Sequence, residues 1–212
     1  MPEKLTESEV QKGQDPSSVK QWDNDVPLEK KFEDFAAIVD KLGVCMLGTA
    51  RDGVGPVCRS MAVAKRTGPD FLFLSNADSQ KFEELEGKSS IVSLSFQNNS
   101  NTDWVSVTGE AVTTSNDDPR IKEIHSKMVS AWFGNLGDGV HTGGPDDPRM
   151  KLIEIKATFI SYWRTGALGG AGLAMEAVAA AATGTVATPG SLRQLTSEEI
   201  EQARSKYSSM SS

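Results

Sequence analysis

Short connections between successive apolar stretches constrain the fold of this chain most. Between residues 44 and 163 the sequence predicts six strands, and consecutive strands lack the crossover helices that a doubly wound parallel sheet requires. The predicted sheet is therefore mostly antiparallel, with a few helices at its edges, and a closed or partly closed barrel fits best. The predicted strands are 44–50, 56–64, 70–75, 91–96, 104–114 and 150–163.

Helical periodicity accompanies the strands. Apolar residues recur at steps of four and three from Leu28 to Leu42, which predicts a helix, and residues 117–133 are predicted to form another. A short helix is expected to follow the third strand through about Glu86. In the hairpin between the first two strands, Gly53 and Gly55 supply the positive φ that its turn needs.

The chain is expected to comprise three segments. Residues 1–25 form a flexible N-terminal arm, residues 26–165 the main domain, and residues 166–212 a Gly/Ala-rich segment followed by a C-terminal helix. Thr196 and Glu199 have the spacing of a capping box at the start of that helix.

Composition and charge exclude several classes of function. The net charge of −7 argues against a nucleic-acid backbone as the main partner. No stretch approaches the roughly 18 apolar residues of a membrane span, and the first 27 residues lack the apolar run of a secretory signal. We therefore expect a cytoplasmic protein. Cys45 and Cys58 are expected to be buried free thiols, and two histidines are too few for most metal sites, so no metal is predicted.

The stretch FLFLSNADSQKFEEL (71–85) carries the clearest chemical signal. Ser75, Ser79 and Lys81 surround the predicted start of a helix, where hydroxyls, a cation and unpaired N–H groups suit a phosphate. Asp78 would repel that phosphate unless its carboxylate points outward or caps the helix. The same residues are also ordinary helix-capping chemistry.

A second cation lies within an apolar strand. Arg59 shares one face of CRSMAVA with Met61 and Val63, and a charge there is costly unless it is paired. Its partner is a carboxylate such as Glu110, solvent at a barrel rim, or a phosphate. Aromatic side chains at element ends, among them Trp104 and Trp163, either pack as a lid or stack on a planar ring.

These features, in this order, resemble the FMN-binding split-barrel proteins related to pyridoxamine 5′-phosphate oxidase. The likeness is strongest to the general stress protein branch, which includes fungal blue-light-inducible members. It rests on GPVCRSMAV, FLFLSNADSQKFEEL, WVSVTGEA, AWF…GGPDDP and the terminal ISYW, and covers about residues 28–165. The resemblance implies a six-stranded antiparallel split β-barrel.

The resemblance also implies a cofactor site. FMN is expected ahead of FAD or a deazaflavin, in a homodimer with flavin at the interface and Trp163 reaching the ring from the second subunit. The hairpin lines the flavin, the turn after the third strand holds its phosphate, and Trp104 approaches the ring. The implied positions are Arg59, Ser60, Met61, Leu74, Ser75, Ser79, Gln80, Lys81, Trp104 and Trp163.

Two departures from the oxidases qualify this implication. Their phosphate turn carries Arg-Lys, whereas this chain has Gln80-Lys81, which removes one cation. Their terminal Arg and His, which hold pyridoxal phosphate, have no matching His after Trp163. Oxidation of vitamin B6 is therefore rejected as the function.

Three functions stay open from the sequence. The first is an FMN-dependent oxidoreductase that acts on a small molecule in a stress response. The second is a flavin-binding carrier or light- or stress-responsive protein without turnover. The third is a dimeric barrel whose cations merely pair with carboxylates. No side chain stands out as a catalytic acid or base, although Lys65, Arg66 and His141 are candidate substrate contacts.

Overall fold

The computed structural model describes residue 4 and residues 6–10, 15–87 and 89–210. Within these residues the strands are β1 Val44–Arg51, β2 Gly55–Ala62, β3 Lys65–Thr67, β4 Asp70–Asn76, β5 Ile91–Gln97, β6 Trp104–Thr113, β7 Met150–Thr165 and β8 Gly190–Leu195. The helices are α1 Glu7–Val10, α2 Pro16–Gln21, α3 Leu28–Leu42, α4 Lys81–Leu85, α5 Pro119–Ile124, α6 Lys127–Ser130, α7 Gly169–Thr183 and α8 Ser197–Tyr207.

The strands form one sheet in the order β2-β1-β5-β6-β7-β4-β3, and β8 pairs with β7. The registers of β1 with β2 and β5, of β3 with β4, and of β7 with β4 and β8 are antiparallel. The predicted fold class, a mainly β split barrel with flanking helices, is confirmed. The predicted number of six strands is wrong, because the sheet of the described residues has eight. The two additional strands are a three-residue strand, β3, and a largely polar strand, β8, so neither carries a clear apolar signal.

The predicted helix over 117–133 is also wrong. It consists of α5 and α6, separated by His125 and Ser126 in extended conformation. Asp118 caps α5 by accepting a hydrogen bond from the Arg120 N–H, and Ser126 stands at the N-cap of α6. The extended backbone at His125 and Ser126 thus divides the segment, and the Ser126 side chain makes no capping hydrogen bond.

The predictions for the β1–β2 turn and for the start of α8 are confirmed. Gly53 and Gly55 have φ values of +74° and +105° in the β1–β2 turn. A Cβ at Gly109 would lie 2.6 Å from the Lys156 carbonyl oxygen, so this position of β6 requires glycine for close packing. Thr196 and Glu199 form the predicted capping box of α8.

The chain divides into two compact units. The first comprises Met1–Leu42, Phe96–Ser106 and Ile160–Leu195, and the second comprises Gly43–Ser95, Val107–Phe159 and Thr196–Ser212. Each has its own buried side chains: Phe32, Phe35, Ile160, Tyr162 and Leu195 in the first, and Leu72, Ile121, Phe133, Met150 and Leu152 in one cluster of the second.

In the first unit, a buried carboxylate joins α3 to β7 and β8. Asp34 of α3 is 1% exposed and forms ion pairs with Lys30, Arg164 and Arg193. Trp22 makes a parallel bridge with Leu192 of β8. The division of the chain into arm, domain and C-terminal segment stays a prediction.

The two thiols of the second unit differ in environment. Cys45 is buried, which raises its pKa to about 12, whereas Cys58 is exposed. The expectation of two buried thiols is therefore wrong for Cys58, which alternates onto the outer face of β2. No helix among the described residues has the length and apolar character needed to cross a membrane.

Candidate functional site

Lys81 is held by two hydroxyl groups in the second unit. Its Nζ donates to Ser75 Oγ at 2.7 Å and to Ser79 Oγ at 2.6 Å. Ser75 lies at the end of β4 and is 7% exposed, and Ser79 lies in the turn before α4. Lys81 forms no ion pair with a carboxylate among the described residues, so its charge is not neutralised by direct contact.

Burial lowers the pKa of the Lys81 ammonium from its ordinary value. The Arg59 charge lowers the pKa further, while the Glu84 charge acts in the opposite direction. The two predicted cations lie near each other because Arg59 contacts Glu84, three positions after Lys81 on α4, although Arg59 and Lys81 are 22 positions apart in the sequence.

Arg59 is already paired with a carboxylate, and that carboxylate is Glu84. Its Nη2 forms an ion pair with Glu84 Oε2, and its Nη1 donates to Thr49 Oγ1 at 2.5 Å and to the Leu47 carbonyl at 3.4 Å. Arg59 Nε has no acceptor in the part of the chain that the structure describes. The suggestion of Glu110 as the partner is therefore wrong, since Glu110 is exposed on β6.

Glu84 is the centre of a buried polar network. Its carboxylate, 3% exposed, accepts from Thr49 Oγ1 at 2.5 Å and from Arg51 Nε at 2.7 Å, in addition to Arg59. Burial alone would raise the pKa of Glu84, but these three hydrogen bonds hold it below its ordinary value. Glu84 is consequently ionised at neutral pH.

The helix itself contributes less to an anion site than the sequence indicated. α4 has only five residues, and Gln80 at its N-cap makes no side-chain capping bond. A helix of this length has a small dipole, so the positive charge here rests on side chains. Asp78 is exposed and is not the N-cap residue, which is Gln80. The backbone N–H of Asp78 donates to Asn76 Oδ1 at 2.9 Å.

The remaining predicted residues of the second unit lie in different surroundings. Ser60 is exposed and pairs with Met46 on the outer face of β1 and β2. Met61 is 9% exposed, and the Leu74 side chain packs against the apolar cluster of this unit. Gln80 is exposed. The structure thus brings together Arg59, Ser75, Ser79 and Lys81, and the flavin-binding roles of all these residues stay predictions.

The two predicted tryptophans belong to the first unit, where their flanking residues are hydrogen-bonded. Asp103, just before Trp104, accepts from the Thr165 N–H at 2.8 Å. Trp163 Nε1 donates to Thr165 Oγ1 at 3.2 Å. A Cβ at Gly190 would lie 2.7 Å from the Trp163 ring, so glycine lets β8 pack tightly on the indole.

Three candidate substrate contacts have structural partners. Lys65 Nζ pairs with Glu123 at 2.5 Å, and His141 Nδ1 lies 2.6 Å from Asp138 Oδ2. Arg66 is 3% exposed and donates to the Gly68 carbonyl at 2.6 Å. These contacts favour a structural role for all three.

Each unit contains a pocket in the part of the chain that the structure describes. The larger, of about 360 Å³, is formed by the C-terminal segment between Gly166 and Pro189, and none of the predicted site residues lines it. The smaller, of about 290 Å³, is lined by Arg51, Gln80 and Glu84 among others. Recognition of an anion depends on hydrogen-bond donors and charge, which Arg59 and Lys81 supply, more than on the size of a pocket.

Sequence reasoning missed Glu84, Thr49 and Arg51. Glu84 lies between Phe82 and Leu85, and all three are buried. An acidic residue three positions after Lys81 is a weak signal on its own. Its contact with Arg59 joins residues 25 positions apart, which only the folded chain brings together.

The donors of this cluster fit a phosphate. Ser75 and Ser79 both accept from Lys81, so each hydroxyl retains its own proton for another acceptor. The third N–H of Lys81 and the Nε–H of Arg59 likewise have no acceptor among the described residues. Unused donors beside two cations are the arrangement that a phosphate group requires.

Comparisons with known proteins give a consistent family assignment. The profile of the family described as "Pyridoxamine 5'-phosphate oxidase like" matches residues 30–187. Protein bli-3 from Neurospora crassa is 31% identical over 196 residues, which cover 91% of this chain and 92% of that protein.

Solved structures show the same fold. General Stress Protein 26 from Bacillus anthracis has a TM-score of 0.53 at 19% identity, covering 62% of this chain and 92% of that one. A pyridoxamine 5′-phosphate oxidase-related, FMN binding protein from Nostoc punctiforme has a TM-score of 0.50 at 12% identity, covering 66% of this chain and 85% of that one.

Proposed function

The chain belongs to the pyridoxamine 5′-phosphate oxidase-like family, and from this premise we propose that it binds FMN. The resemblance read from the sequence is thereby confirmed. Arg59, Ser75, Ser79 and Lys81 bind the phosphate in this proposal. The observation that carries it is the Lys81 ammonium, which two hydroxyl groups hold and which forms no ion pair with a carboxylate of the described residues.

The remaining predicted residues bind the rest of the cofactor. Ser60 and Met61 of the hairpin line the flavin, Leu74 and Gln80 belong to the strand end and turn at the phosphate, and Trp104 approaches the ring. FMN is favoured over FAD or a deazaflavin because the unused donors suit a terminal phosphate. Gln80 donates without charge where the oxidases have Arg, so the phosphate is held by fewer cations.

We assign the protein a redox role on an unidentified small molecule, in a cytoplasmic stress response. The similarity to General Stress Protein 26 motivates the stress setting. A bound isoalloxazine ring supplies the electron transfer itself. The residues of this chain then bind and orient the cofactor, and none of them is assigned as a catalytic acid or base. Turnover of vitamin B6 is excluded from the proposal, because no His follows Trp163 as in the oxidases.

A homodimer completes the proposed site, with Trp163 of the partner subunit next to the flavin. The outer face of β1 and β2 supports this assembly. Val44 is 50% and Met46 is 41% exposed, and they pair with Ala62 and Ser60 on the same face. Exposed apolar side chains among small residues are suited to contact with a second copy.

Flavin titration tests the proposal directly. The visible spectrum of the purified protein is recorded, and the melting temperature is followed while FMN, riboflavin, FAD or a deazaflavin is added. FMN is expected to raise the melting temperature most, because a ligand stabilises only the state that binds it. If no flavin shifts the melting temperature, the proposal is wrong.

Anaerobic mixing with NADH and NADPH then tests the redox role. Bleaching of the bound flavin at a rate useful for turnover supports an oxidoreductase. Bound flavin that neither donor reduces identifies a flavin carrier or a light- or stress-responsive protein instead.

A further inference from the structure

Glu84 brings a buried negative charge into direct contact with the proposed phosphate site. It lies three positions after Lys81 on α4, and its 3% exposed carboxylate contacts Arg59. A carboxylate beside an anion-binding cation is unexpected for a site that only attracts phosphate, because it repels the ligand.

We propose that Glu84 is an internal counter-ion that sets how tightly this site binds phosphate. The inference rests on the proposed function. In the absence of ligand, Glu84 neutralises part of the charge of Arg51, Arg59 and Lys81, which stabilises the fold. In the liganded protein the same charge lowers the affinity for the phosphate of FMN, while riboflavin, which has none, is unaffected.

The geometry of Arg59 allows Glu84 to stay in place when an anion binds. Glu84 occupies Nη2 and Thr49 occupies Nη1, whereas Nε has no acceptor among the described residues. A phosphate at Nε therefore has no need to displace the carboxylate. The Glu84 carboxylate and the phosphate then share one guanidinium, and the repulsion between them lowers the affinity for the phosphate.

Glu84 also pairs with a second arginine, Arg51, and so reduces the repulsion between Arg51 and Arg59. Arg51 Nε donates to Glu84 Oε1 at 2.7 Å, and the Arg51 side chain is 34% exposed. Loss of the carboxylate thus leaves Arg51 and Arg59 without their shared carboxylate partner. Phosphate binding relieves that repulsion, so anion affinity and stability change in opposite directions.

The test compares flavins with and without phosphate. The dissociation constants of FMN and riboflavin are measured for the full-length protein, Glu84→Gln and Glu83→Gln. Glu83 is exposed and adjacent on α4, so its substitution makes the same charge change away from Arg59. We expect the riboflavin-to-FMN ratio of dissociation constants to rise about tenfold in Glu84→Gln and less than about threefold in the control.

An unchanged or lower ratio in Glu84→Gln overturns the inference. It would mean that Glu84 helps FMN binding by orienting Arg59 at least as much as its charge repels the phosphate. The double variant Arg51→Gln/Glu84→Gln covers the case in which unpaired arginines prevent folding. It keeps the local net charge of the wild type, yet we expect its ratio to exceed the wild-type ratio because Arg59 faces the phosphate without a carboxylate. A wild-type ratio in this variant refutes the inference.

Failure of the proposed function has a different signature. If the unmodified protein binds neither FMN nor riboflavin, the flavin site itself is wrong and the inference falls with it. If the unmodified protein prefers FMN and only the response of Glu84→Gln is absent, the proposed function stands and the counter-ion role alone is wrong.

Discussion

Lys81 and Ser75 meet across the turn that joins β4 to α4, with Lys81 Nζ 2.7 Å from Ser75 Oγ. The serine is buried and the lysine is half-buried, so the hydrogen bond fixes a cation close to the end of a strand. Because the hydroxyl accepts this bond, its own proton is available to a ligand. This contact makes the turn a structured donor site in place of a flexible loop.

Removal of the Lys81 ammonium should weaken the binding of FMN more than that of riboflavin. A hydrogen bond to a charged group contributes about 1.5–3 kcal/mol, so we expect the FMN dissociation constant of Lys81→Ala to rise about 10- to 100-fold. Fluorescence titration measures both flavins. Lys122→Ala, which removes an exposed lysine paired with exposed Asp146, is the matched control. Equal losses for FMN and riboflavin would contradict a phosphate contact.

FMN affinity should fall at alkaline pH. The folded pKa of Lys81 lies below 10.5, so in the free protein the ammonium loses its proton at a lower pH than an ordinary lysine. Phosphate binds the charged form, and its own second pKa of about 6 leaves it dianionic throughout this range. Affinity therefore declines as pH rises through the Lys81 pKa. Riboflavin titrated over the same range should show no such decline.

Lys81→Arg provides the control for this pH dependence, because a guanidinium stays charged there. Its FMN affinity should be flat where that of the wild type falls. A parallel decline in the arginine variant would assign the pH effect to another group.

Glu84→Gln should destabilise the protein in a pH-dependent way. Breaking a buried ion pair costs about 3–5 kcal/mol, and we expect the lower part of this range at pH 7 because glutamine keeps some hydrogen bonds. The folded pKa of Glu84 is depressed below 4.5, so its stabilisation is present above that value and is lost as pH falls through the folded pKa. Urea unfolding of both proteins at pH 7 and at about pH 3 measures the difference in free energy. A difference that persists undiminished in acid would show that ionisation of Glu84 is not its source.

Met46→Lys should disrupt the proposed homodimer. The substitution places a charge on the outer face of β1, where an interface would have to bury it at a cost of several kcal/mol. Light scattering after size-exclusion chromatography should give a dimer mass for the wild type and a monomer mass for the variant. Val54→Lys, in the β1–β2 turn and 68% exposed, should stay dimeric. A monomeric wild type at micromolar concentration would refute the assembly.

Much of the architecture follows from local sequence, because alternation and turn chemistry act over a few residues. The run from Val44 to Ala62 predicts a hairpin with glycines in its turn, and the structure has that hairpin. The six predicted strands are all present, and Thr196 begins a capped helix. β8 was not predicted because its sequence is mostly polar. Backbone hydrogen bonds with β7 stabilise it as a strand, and its own composition does not reveal that pairing.

The sequence by itself determined which residues we propose for phosphate binding: a turn with Ser75, Ser79 and Lys81, and Arg59 on a strand. Tertiary structure alone decided how these charges are balanced. It joined Arg59 to Glu84 across 25 positions and put the carboxylate beside the proposed phosphate site. Such pairing depends on packing of α4 against β1, the neighbour of β2 in the sheet. Electrostatic energy follows distance in space, which spacing along the chain does not encode.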